Sequence, residues 1–346
     1  DKETKRFSLH DLVRVFGLGR LEGEGEKAVR LRHAQHYARV AAAAEDLYKS
    51  GGENVLLGLT LFDGERANID AGWQWAREQA GTASQEIDQL ILDYAEVTAY
   101  VGHLRYNSRR ERIPQLEAVL GSARRLGDKY AEGGALGNLG LAYAILGEPS
   151  KAIQHYEQRM EIARQIGDRR GEGVALCNMG LAYADLGELR KAIQYYEQSL
   201  KIDHELGDRR GEGSTLGSLG LAYAALGETR KAIRYYEQYL EIAREIGDHQ
   251  GEGIALGIMG IGYMNLGEPH RALQFYEQHV EIARKIGDRR GEAHSSWNMG
   301  GLLAKEGDLA RAIELLQVMV DYEREIGHPD AEEHAALVEE LRKKPV

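Results

Sequence analysis

Asparagine side chains recur at one phase of this sequence and are its best candidates for binding chemistry. Asn138 and Asn178 lie forty residues apart, Ser218 follows at the same spacing, and Asn298 lies two further periods along the chain. A side-chain amide offers both a hydrogen-bond donor and an acceptor, and so does a peptide group. These amides could therefore hydrogen-bond to the main chain of a ligand or to the end of a neighbouring helix.

The remaining polar residues form no recognisable catalytic or metal site. His33 and His36 are three residues apart, but no cysteine or third ligand is spaced to join them. No Ser-His-Asp, Cys-His or paired-carboxylate arrangement stands out from the repeated background. The phosphate-binding pattern G-x-x-x-x-G-K-[ST] is absent, and Gly23–Lys27 does not supply it. We therefore predict a chain that is not an enzyme and holds no cofactor or metal.

Arginine pairs also recur at the forty-residue spacing. They are Arg169–Arg170, Arg209–Arg210 and Arg289–Arg290. Such a row of positive charge could bind phosphate groups or an acidic partner. We favour a simpler role in which the arginines form ion pairs with glutamates of the same phase. These are Glu172, Glu212 and Glu292.

Tyrosine pairs occur at Tyr195–Tyr196 and Tyr235–Tyr236 and resemble an aromatic patch. We interpret the second tyrosine of each pair as a core residue. The first is predicted to cover the neighbouring repeat rather than to stack on a nucleic-acid base.

Composition and charge restrict the classes of partner. A formal net charge of -11 disfavours a general nucleic-acid surface, which requires a basic excess. The single cysteine, Cys177, excludes an intramolecular disulfide and fits a reducing compartment. No stretch reaches the length of apolar residues that a membrane span needs, and the charged start does not resemble a signal peptide. We expect a cytoplasmic chain that binds neither nucleic acid nor membrane.

The elements that position these residues repeat every forty residues. Closely related strings begin at Ile166, Leu206, Ile246 and Ile286, without insertions. The repeat units are 127–166, 167–206, 207–246, 247–286 and 287–326. A closing helix is predicted for 327–346.

Each unit has the pattern of two helices. Leu176, Met179, Gly180 and Tyr183 share one helical face. Asp168 is a candidate N-cap, and Gly187 and Gly207 are suited to ending the two helices. The second helix begins at Leu189, and its predicted buried stripe is Ala192, Ile193, Tyr196, Leu200 and Ile202. Such a pair must stack on its neighbours to complete a core, so an all-α solenoid is expected.

These units resemble tetratricopeptide repeats. Leu139, Gly140 and Tyr143, followed by Ala152 and Tyr156, look like the family signature, which recurs in the next three units. In the last unit Leu303 and Leu316 replace the aromatic residues, as expected of a cap. The resemblance implies a right-handed α-solenoid of helix pairs, and the forty-residue version is especially similar to Pins-type polarity scaffolds.

The family resemblance also implies where a ligand binds. First helices line the concave groove, and the asparagine phase grips the main chain of an extended peptide in family members. The candidate groove residues are Asn138, Asn178, Ser218, Asn298, Leu141, Leu181, Leu221, Ile261, Met264 and Trp297. Pins-type members carry arginine and a second asparagine where this groove is small and apolar, which favours a hydrophobic segment or amphipathic helix over an acidic peptide. Alternatively, a tightly curled array could bury these apolar residues as core.

The segment before the repeats resembles part of an NB-ARC or STAND NTPase. Leu9-His10-Asp11 is similar to the Met-His-Asp-Leu motif that ends their winged-helix domain, which implies that His10 contacts nucleotide in the full-length protein. Residues 1–30 would be the tail of that domain and 31–86 a helical arm. Residues 87–126 align as a degenerate repeat, with Ile113, Leu116, Leu120 and Ala123 in the core.

The leading hypothesis is the protein- or peptide-binding sensor region of a STAND-type signalling NTPase. The chain starts without methionine and within a motif, so we expect a fragment whose NTPase module lies upstream. A free-standing adaptor without an enzymatic domain is the alternative. A transcription regulator is a third, although the carboxy-terminal residues show no helix-turn-helix pattern.

Overall fold

The computed structural model describes residues 24–82 and 84–343, and every regular element within those residues is helical. The all-α prediction is confirmed. The helices form two compact units, the first ending at Gly167 and the second beginning at Asp168. The predicted winged-helix tail, apart from residues 24–30, lies outside the described residues, as does His10.

The first unit contains a helical arm and the first regular repeat. Its helices are α1 Glu24–Ser50, α2 Asn54–Glu78, α3 Gln85–Val97, α4 Val101–Arg105, α5 Ile113–Leu126, α6 Lys129–Ile145 and α7 Pro149–Ile166. A single π-helical turn at Ser108–Arg112 leads directly into α5. The arm helices α1 and α2 pack against each other and against α3, while α5 packs on α3 and α6.

The second unit consists of four helix pairs and a closing helix. They are α8 Arg169–Asp185, α9 Leu189–Leu206, α10 Arg209–Ala225, α11 Thr229–Glu245, α12 His249–Asn265, α13 Pro269–Ile286, α14 Arg289–Glu306, α15 Leu309–Ile326 and α16 Ala331–Arg342. Each helix packs against the next along the chain, as expected for an α-solenoid. No helix among residues 24–82 and 84–343 combines the length and apolar character needed to cross a membrane.

Local capping sets the helix boundaries. The Asp168 carboxylate accepts a hydrogen bond from the Gly171 N–H at 2.8 Å and so begins α8. Gly187 and Gly207 end the two helices of this repeat with positive φ angles of 77° and 64°. The predicted N-cap at Asp168, the two glycine helix ends and the start of α9 at Leu189 are confirmed.

The signature glycines allow the two helices of a pair to approach closely. A Cβ atom at Gly180 would lie 2.5 Å from the ring of Tyr196, which is buried. The same contact would measure 2.2 Å at Gly220 and 2.4 Å at Gly260. The glycine and the second tyrosine of the signature are therefore two halves of one packing contact.

The predicted stripe of α9 is confirmed except at one position. Ala192, Ile193, Tyr196 and Ile202 are buried, whereas Leu200 is only half-buried. Ser199 takes the inner position instead. Its hydroxyl donates a 3.0 Å hydrogen bond to the Gly173 carbonyl oxygen, which satisfies the buried polar group.

The first tyrosine of each pair stacks within its own repeat. The rings of Tyr183 and Tyr195 lie 5.2 Å apart and within 2° of parallel, and Lys191 Nζ lies 3.9 Å from the Tyr183 ring centre. Tyr223 and Tyr235 form the same stack. The second helix thus places the first tyrosine of each pair over the first-helix tyrosine of its own repeat, a stack that the sequence did not predict. That these residues also cover the neighbouring repeat stays a prediction.

A further pair of facing positions differs from repeat to repeat. The residues at these positions are Cys177 and Ser199, Gly217 and Tyr239, and Gly257 and His279. A Cβ atom at Gly217 would lie 3.4 Å from the Tyr239 ring, and one at Gly257 would lie 3.0 Å from the His279 ring. A large side chain in the second helix thus fills the space above a glycine in the first.

The arm has a core of its own. Phe62, Ile69 and Trp73 of α2 are buried, and so is Tyr94 of α3. The Tyr94 hydroxyl donates a 2.8 Å hydrogen bond to the Ala34 carbonyl oxygen of α1, and its ring lies 5.8 Å from the Trp73 ring of α2, between ring centres. The segment predicted as an arm is therefore helical and packed.

The segment 87–126 resembles a repeat only in its second half. Ile113, Leu116 and Ala123 of α5 are buried and Leu120 is half-buried, as predicted for a second helix. The first half is divided between α3 and α4, with a break at residues 98–100.

The closing helix covers the last repeat. Val338 and Leu341 of α16 pack against Leu316 and Val320 of α15. The leucine that replaces the signature tyrosine thus contributes to the end of the core.

Candidate functional site

Exposed apolar side chains line the first helices of the second unit. Leu181, Leu221 and Ile261 occupy equivalent positions of α8, α10 and α12, and 47%, 56% and 49% of their surface is exposed. Val174 and Ile254 lie seven residues earlier in their helices and are also exposed. We call these five residues the first-helix face. The alternative in which they form core does not hold within this unit, because all are substantially open to solvent.

Other predicted groove residues are less accessible. Met264 is half-buried, as is Trp297. The Trp297 ring lies 4.2 Å from the His334 ring of α16, between ring centres, and packs near the terminal core. One face of the Trp297 side chain therefore packs against α16, and only the rest of its surface is accessible to a ligand.

Residues at the asparagine position of one repeat lie near the second-helix signature tyrosine of the preceding repeat. The Ser218 hydroxyl donates a 3.1 Å hydrogen bond to the Ser214 carbonyl oxygen and lies beside the Tyr196 hydroxyl, and the Asn298 side chain lies beside the Tyr276 hydroxyl. Ile258 occupies this phase in the repeat between them. There the buried Tyr236 hydroxyl has no hydrogen-bond partner among the described residues. For Ser218 and Asn298 the structure thus provides a structural role, although the partner is a tyrosine rather than a helix end.

We expect Tyr236→Phe to leave the free energy of unfolding unchanged or to raise it slightly. Removing a buried hydroxyl that lacks a partner removes an uncompensated desolvation penalty. Tyr196→Phe and Tyr276→Phe remove hydroxyls that lie beside a polar side chain, so each should cost about 1 kcal/mol. Urea unfolding followed by circular dichroism compares the three variants. Equal losses of stability in all three would contradict this account.

Asn138 and Asn178 differ from the other members of the phase. Neither side chain hydrogen-bonds to another residue in the described part of the chain. Asn138 is exposed and Asn178 half-buried. Their amides are therefore available to a ligand's peptide groups, as the family resemblance implies.

The second unit contains a cavity beside the first-helix face. It measures about 330 Å³ and lies between α10 and α12. Ser218, Leu221 and Ile254 line it together with Tyr239, and Arg210 and Asp248 add one charge of each sign. Its size is at the lower end of that of ligand pockets.

The first unit contains a larger cavity, which we call the N-terminal cavity. Its volume is about 430 Å³. Its lining residues are Tyr48, Ala99, Tyr100, Leu104, Tyr106, Ser108, Arg112, Leu116, Asn138, Leu141 and Ala142. Asn138 and Leu141 are groove residues predicted from the sequence, whereas Arg112 and Tyr100 are not. Those two residues lie outside the regular repeats, so no shared phase marks them.

The arginine pairs are largely occupied by carboxylates. Arg209 forms an ion pair with Glu212 at 2.6 Å, and Arg169 pairs with Glu172, as predicted. The prediction for the third pair was wrong. Glu292 is taken by Arg284 at 2.7 Å, and Arg289 reaches Glu325 of α15 instead. Exposed pairs of this kind contribute little stability. Arg170 also pairs, with Asp208 at 2.8 Å, whereas Arg210 and Arg290 form no ion pair within residues 24–82 and 84–343.

No metal site is found in the described ranges, where no cluster of three or more His, Cys, Asp and Glu side chains could hold an ion. His33 is half-buried. Burial lowers its pKa, and the neighbouring His36 and Arg30 act in the same direction.

Comparison with known families identifies the repeats. Residues 135–170, 171–245 and 252–320 match models of the family described as Tetratricopeptide repeat. These matches cover a little over half of the chain, which therefore belongs to the tetratricopeptide repeat family. Such repeats form a protein-interaction fold rather than a catalytic one. A search of curated proteins found no match.

Several solved structures share this fold. One is a Signal Transduction ATPase with Numerous Domains (STAND) protein with a tetratricopeptide repeat sensor from Pyrococcus horikoshii, at 20% identity and a TM-score of 0.63. The match covers 97% of this chain and 53% of that protein, so the chain spans about half its length. Aspartyl phosphate phosphatase F from Bacillus subtilis matches at 13% identity and a TM-score of 0.57, over 84% of this chain and 81% of that one. BtubC from P. vanneervenii matches at 19% identity and a TM-score of 0.56, over 70% and 96%. The likeness to NB-ARC proteins and to Pins-type repeats stays a prediction.

Proposed function

We propose that this chain is the ligand-binding sensor region of a STAND-type signalling NTPase in the cytoplasm. A protein or peptide binds along the first-helix face and alters contacts with an NTPase module upstream. The observation that carries the proposal is the row formed by Leu181, Leu221 and Ile261, which remain about half exposed at equivalent positions of successive repeats. A contiguous apolar surface of this kind is characteristic of an interaction site.

The arrangement before the repeats favours the sensor over a simple scaffold. The arm helices α1 and α2 are packed into the same unit as the first repeat, and the likeness to the STAND protein extends over both. An arm that is tied to the repeats can transmit a change in ligand occupancy to a neighbouring module.

A free-standing adaptor is the second candidate. The chain matches nearly the whole length of BtubC, which shows that this fold also occurs in chains without a large additional module. The gene sequence upstream of Asp1 distinguishes the two candidates. A P-loop and a Walker B segment support the sensor, whereas an initiator methionine directly before Asp1 favours the adaptor.

We expect Leu181→Asp combined with Leu221→Asp to weaken peptide binding at least about tenfold, because two carboxylates would have to be desolvated under an apolar ligand. The probe is a peptide selected on the full chain from a phage-displayed library, and fluorescence anisotropy measures its affinity. Stability should change little, since both side chains are already exposed.

Leu186→Asp is the matched control. Leu186 follows α8 at the start of the turn and is 41% exposed, but it lies outside the first-helix face. Its substitution should leave affinity unchanged. Equal affinity of the double variant and the wild type, or failure to select any peptide, would refute binding at this face.

A further inference from the structure

Arg112 is a buried cation without an ion-pair partner in the part of the chain that the structure describes. It is the last residue of the π-helical turn and is 7% exposed. Its guanidinium forms no ion pair and no side-chain hydrogen bond with any residue in 24–82 or 84–343. π-helical turns inside helices occur frequently at functional sites, where they redirect a side chain.

A guanidinium in this position requires an explanation. It carries several N–H donors and a permanent charge, and buried charges in proteins are normally paired. Burial lowers the pKa of Arg112, while Tyr106 and Glu45 oppose this effect from beyond ion-pairing distance. The loss of hydration on burial therefore affects the pKa of Arg112 more than Tyr106 and Glu45 do.

Glu45 is already engaged elsewhere. Its carboxylate accepts hydrogen bonds from the backbone N–H groups of Tyr100 at 2.8 Å and Val101 at 2.9 Å. Lys49 lies 3.8 Å from it. This carboxylate serves to hold the loop before α4, and the neighbouring Lys49 balances its charge.

Arg112 lines two cavities of different sizes. The smaller, of about 10 Å³, also contains Gln115, whose buried Oε1 atom has no partner among the described residues. That space admits about one water molecule, which could join the two side chains but would not neutralise the charge. The other cavity is the N-terminal cavity, where the volume of about 430 Å³ accommodates part of a ligand.

The lining of the N-terminal cavity is mainly apolar and aromatic. Tyr100 and Leu104 are more than half exposed although they border it. Lys49 lies over the Tyr100 ring at 5.2 Å and adds positive charge nearby. Asn138 contributes an amide with no partner of its own in the described structure.

We propose that the N-terminal cavity binds an apolar peptide segment through a carboxylate that pairs with Arg112. A planar carboxylate accepts two parallel hydrogen bonds from a guanidinium and supplies the single negative charge that this site lacks. The apolar lining receives the adjoining side chain, and Asn138 hydrogen-bonds to the main chain. The inference rests on the proposed peptide-binding function and specifies its ligand.

The chemistry fits one carboxylate better than a phosphate. A phosphate group carries nearly two negative charges, and one guanidinium in an apolar cavity would leave part of that charge unpaired. The carboxylate can come from a peptide's carboxyl terminus or from an acidic side chain.

Three small probes distinguish these sources when added to the full chain. They are N-acetyl-glycyl-leucine with a free carboxyl group, the same compound as its carboxamide, and N-acetyl-aspartyl-leucine carboxamide. The readout is the Nε–Hε resonance of Arg112 in ¹⁵N-labelled protein, assigned by its loss in Arg112→Lys. We expect the free acid to shift this resonance and to bind at least about tenfold more tightly than the carboxamide.

The aspartyl compound decides between the two sources. If it binds as tightly as the free acid and also shifts Arg112, the carboxylate comes from a side chain. If it fails, the site captures a carboxyl terminus. Equal binding of acid and carboxamide, or no shift of Arg112 with any probe, would overturn the proposal without requiring any variant.

Two arginine variants supply the controls. Arg112→Gln should abolish the preference for the free acid. Arg110→Gln, an exposed arginine of the same turn, should leave it intact. Unchanged preference in a folded Arg112→Gln protein would also overturn the proposal.

The outcome is separable from that of the proposed function. If library-selected peptides still bind in a manner that depends on Leu181 and Leu221, while Arg112 responds to no probe, only the carboxylate site is refuted. If neither response occurs, both proposals fail.

Discussion

Gly140→Ala is expected to lower the free energy of unfolding by about 3 kcal/mol. A Cβ atom at this position would lie 2.3 Å from the ring of Tyr156, which is buried between α6 and α7. The ring cannot withdraw without opening the helix pair, so the strain has to be accommodated by separating the helices. Chemical denaturation followed by circular dichroism measures the loss.

Gly134→Ala is the matched control for this substitution. Gly134 lies in the same helix, and a Cβ atom there would meet nothing within 4 Å. Because alanine is the better helix former, this variant should gain up to about 1 kcal/mol. The two changes are chemically identical and differ only in their surroundings. Shifts of the same sign in both would show that close packing at Gly140 does not determine stability.

Asp203→Ala combined with Thr215→Ala is expected to raise stability at neutral pH by about 2 kcal/mol. Asp203 is only 8% exposed, and the Thr215 hydroxyl donates a 2.9 Å hydrogen bond to its carboxylate. The equivalent positions of other repeats hold alanine, as at Ala243 and Ala255, and these alanines are buried. The double variant therefore has the same alanine–alanine packing as Ala243 and Ala255, and it no longer buries a charge.

The pH dependence of the difference identifies its cause. Burial raises the pKa of Asp203, and the Asp208 carboxylate acts in the same direction. The folded chain thus retains a proton that the unfolded chain releases at about pH 4. As the pH rises from there through the folded-state pKa, the wild type should lose stability relative to the double variant. Below that range the electrostatic part of the difference should vanish.

Thr215→Ala alone should behave in the opposite way. It removes the hydrogen bond to the Asp203 carboxylate and leaves the charge buried, so the expected effect is a loss of about 1 kcal/mol or more. A pH-independent gain in the double variant, or a gain from Thr215→Ala alone, would exclude buried charge as the explanation.

The regular part of the fold follows from local rules and could be predicted from the sequence. Asp168, Gly187 and Gly207 mark helix ends because capping depends on residues that are neighbours in the chain. The packing of Gly180 against Tyr196 follows from the repeat phase, since each unit presents the same pair. Both features depend on spacing alone.

The features that escaped prediction depend on packing between elements. Tyr195 stacks on Tyr183 because of the rotation of one helix against its partner, which the sequence pattern does not specify. Arg289 reaches Glu325 rather than Glu292 because several carboxylates lie within range and small differences in geometry select among them.

The candidate site could be predicted only where its residues follow the spacing of the repeats. Leu181 and Leu221 were assigned to the groove from their phase, and their exposure agrees with that assignment, although no ligand tests it. Arg112 belongs to no regular repeat, and it shares a small cavity with Trp73 of α2 and Tyr94 of α3, an arrangement that no repeat phase specifies. The spacing of the repeats could have identified Ile258 as an apolar residue at the position where Tyr236 would need a polar neighbour.

Nearly identical repeats carry a hazard during folding, because a first helix can pair with the second helix of the wrong unit. The facing positions that vary between repeats oppose this error. An exchange of second helices between neighbouring units would press the Tyr239 ring against the Cys177 side chain and set Ser199 opposite Gly217, with overpacking in one place and a void in the other. Each helix pair therefore has a contact of its own, which favours a single register over the mispaired ones.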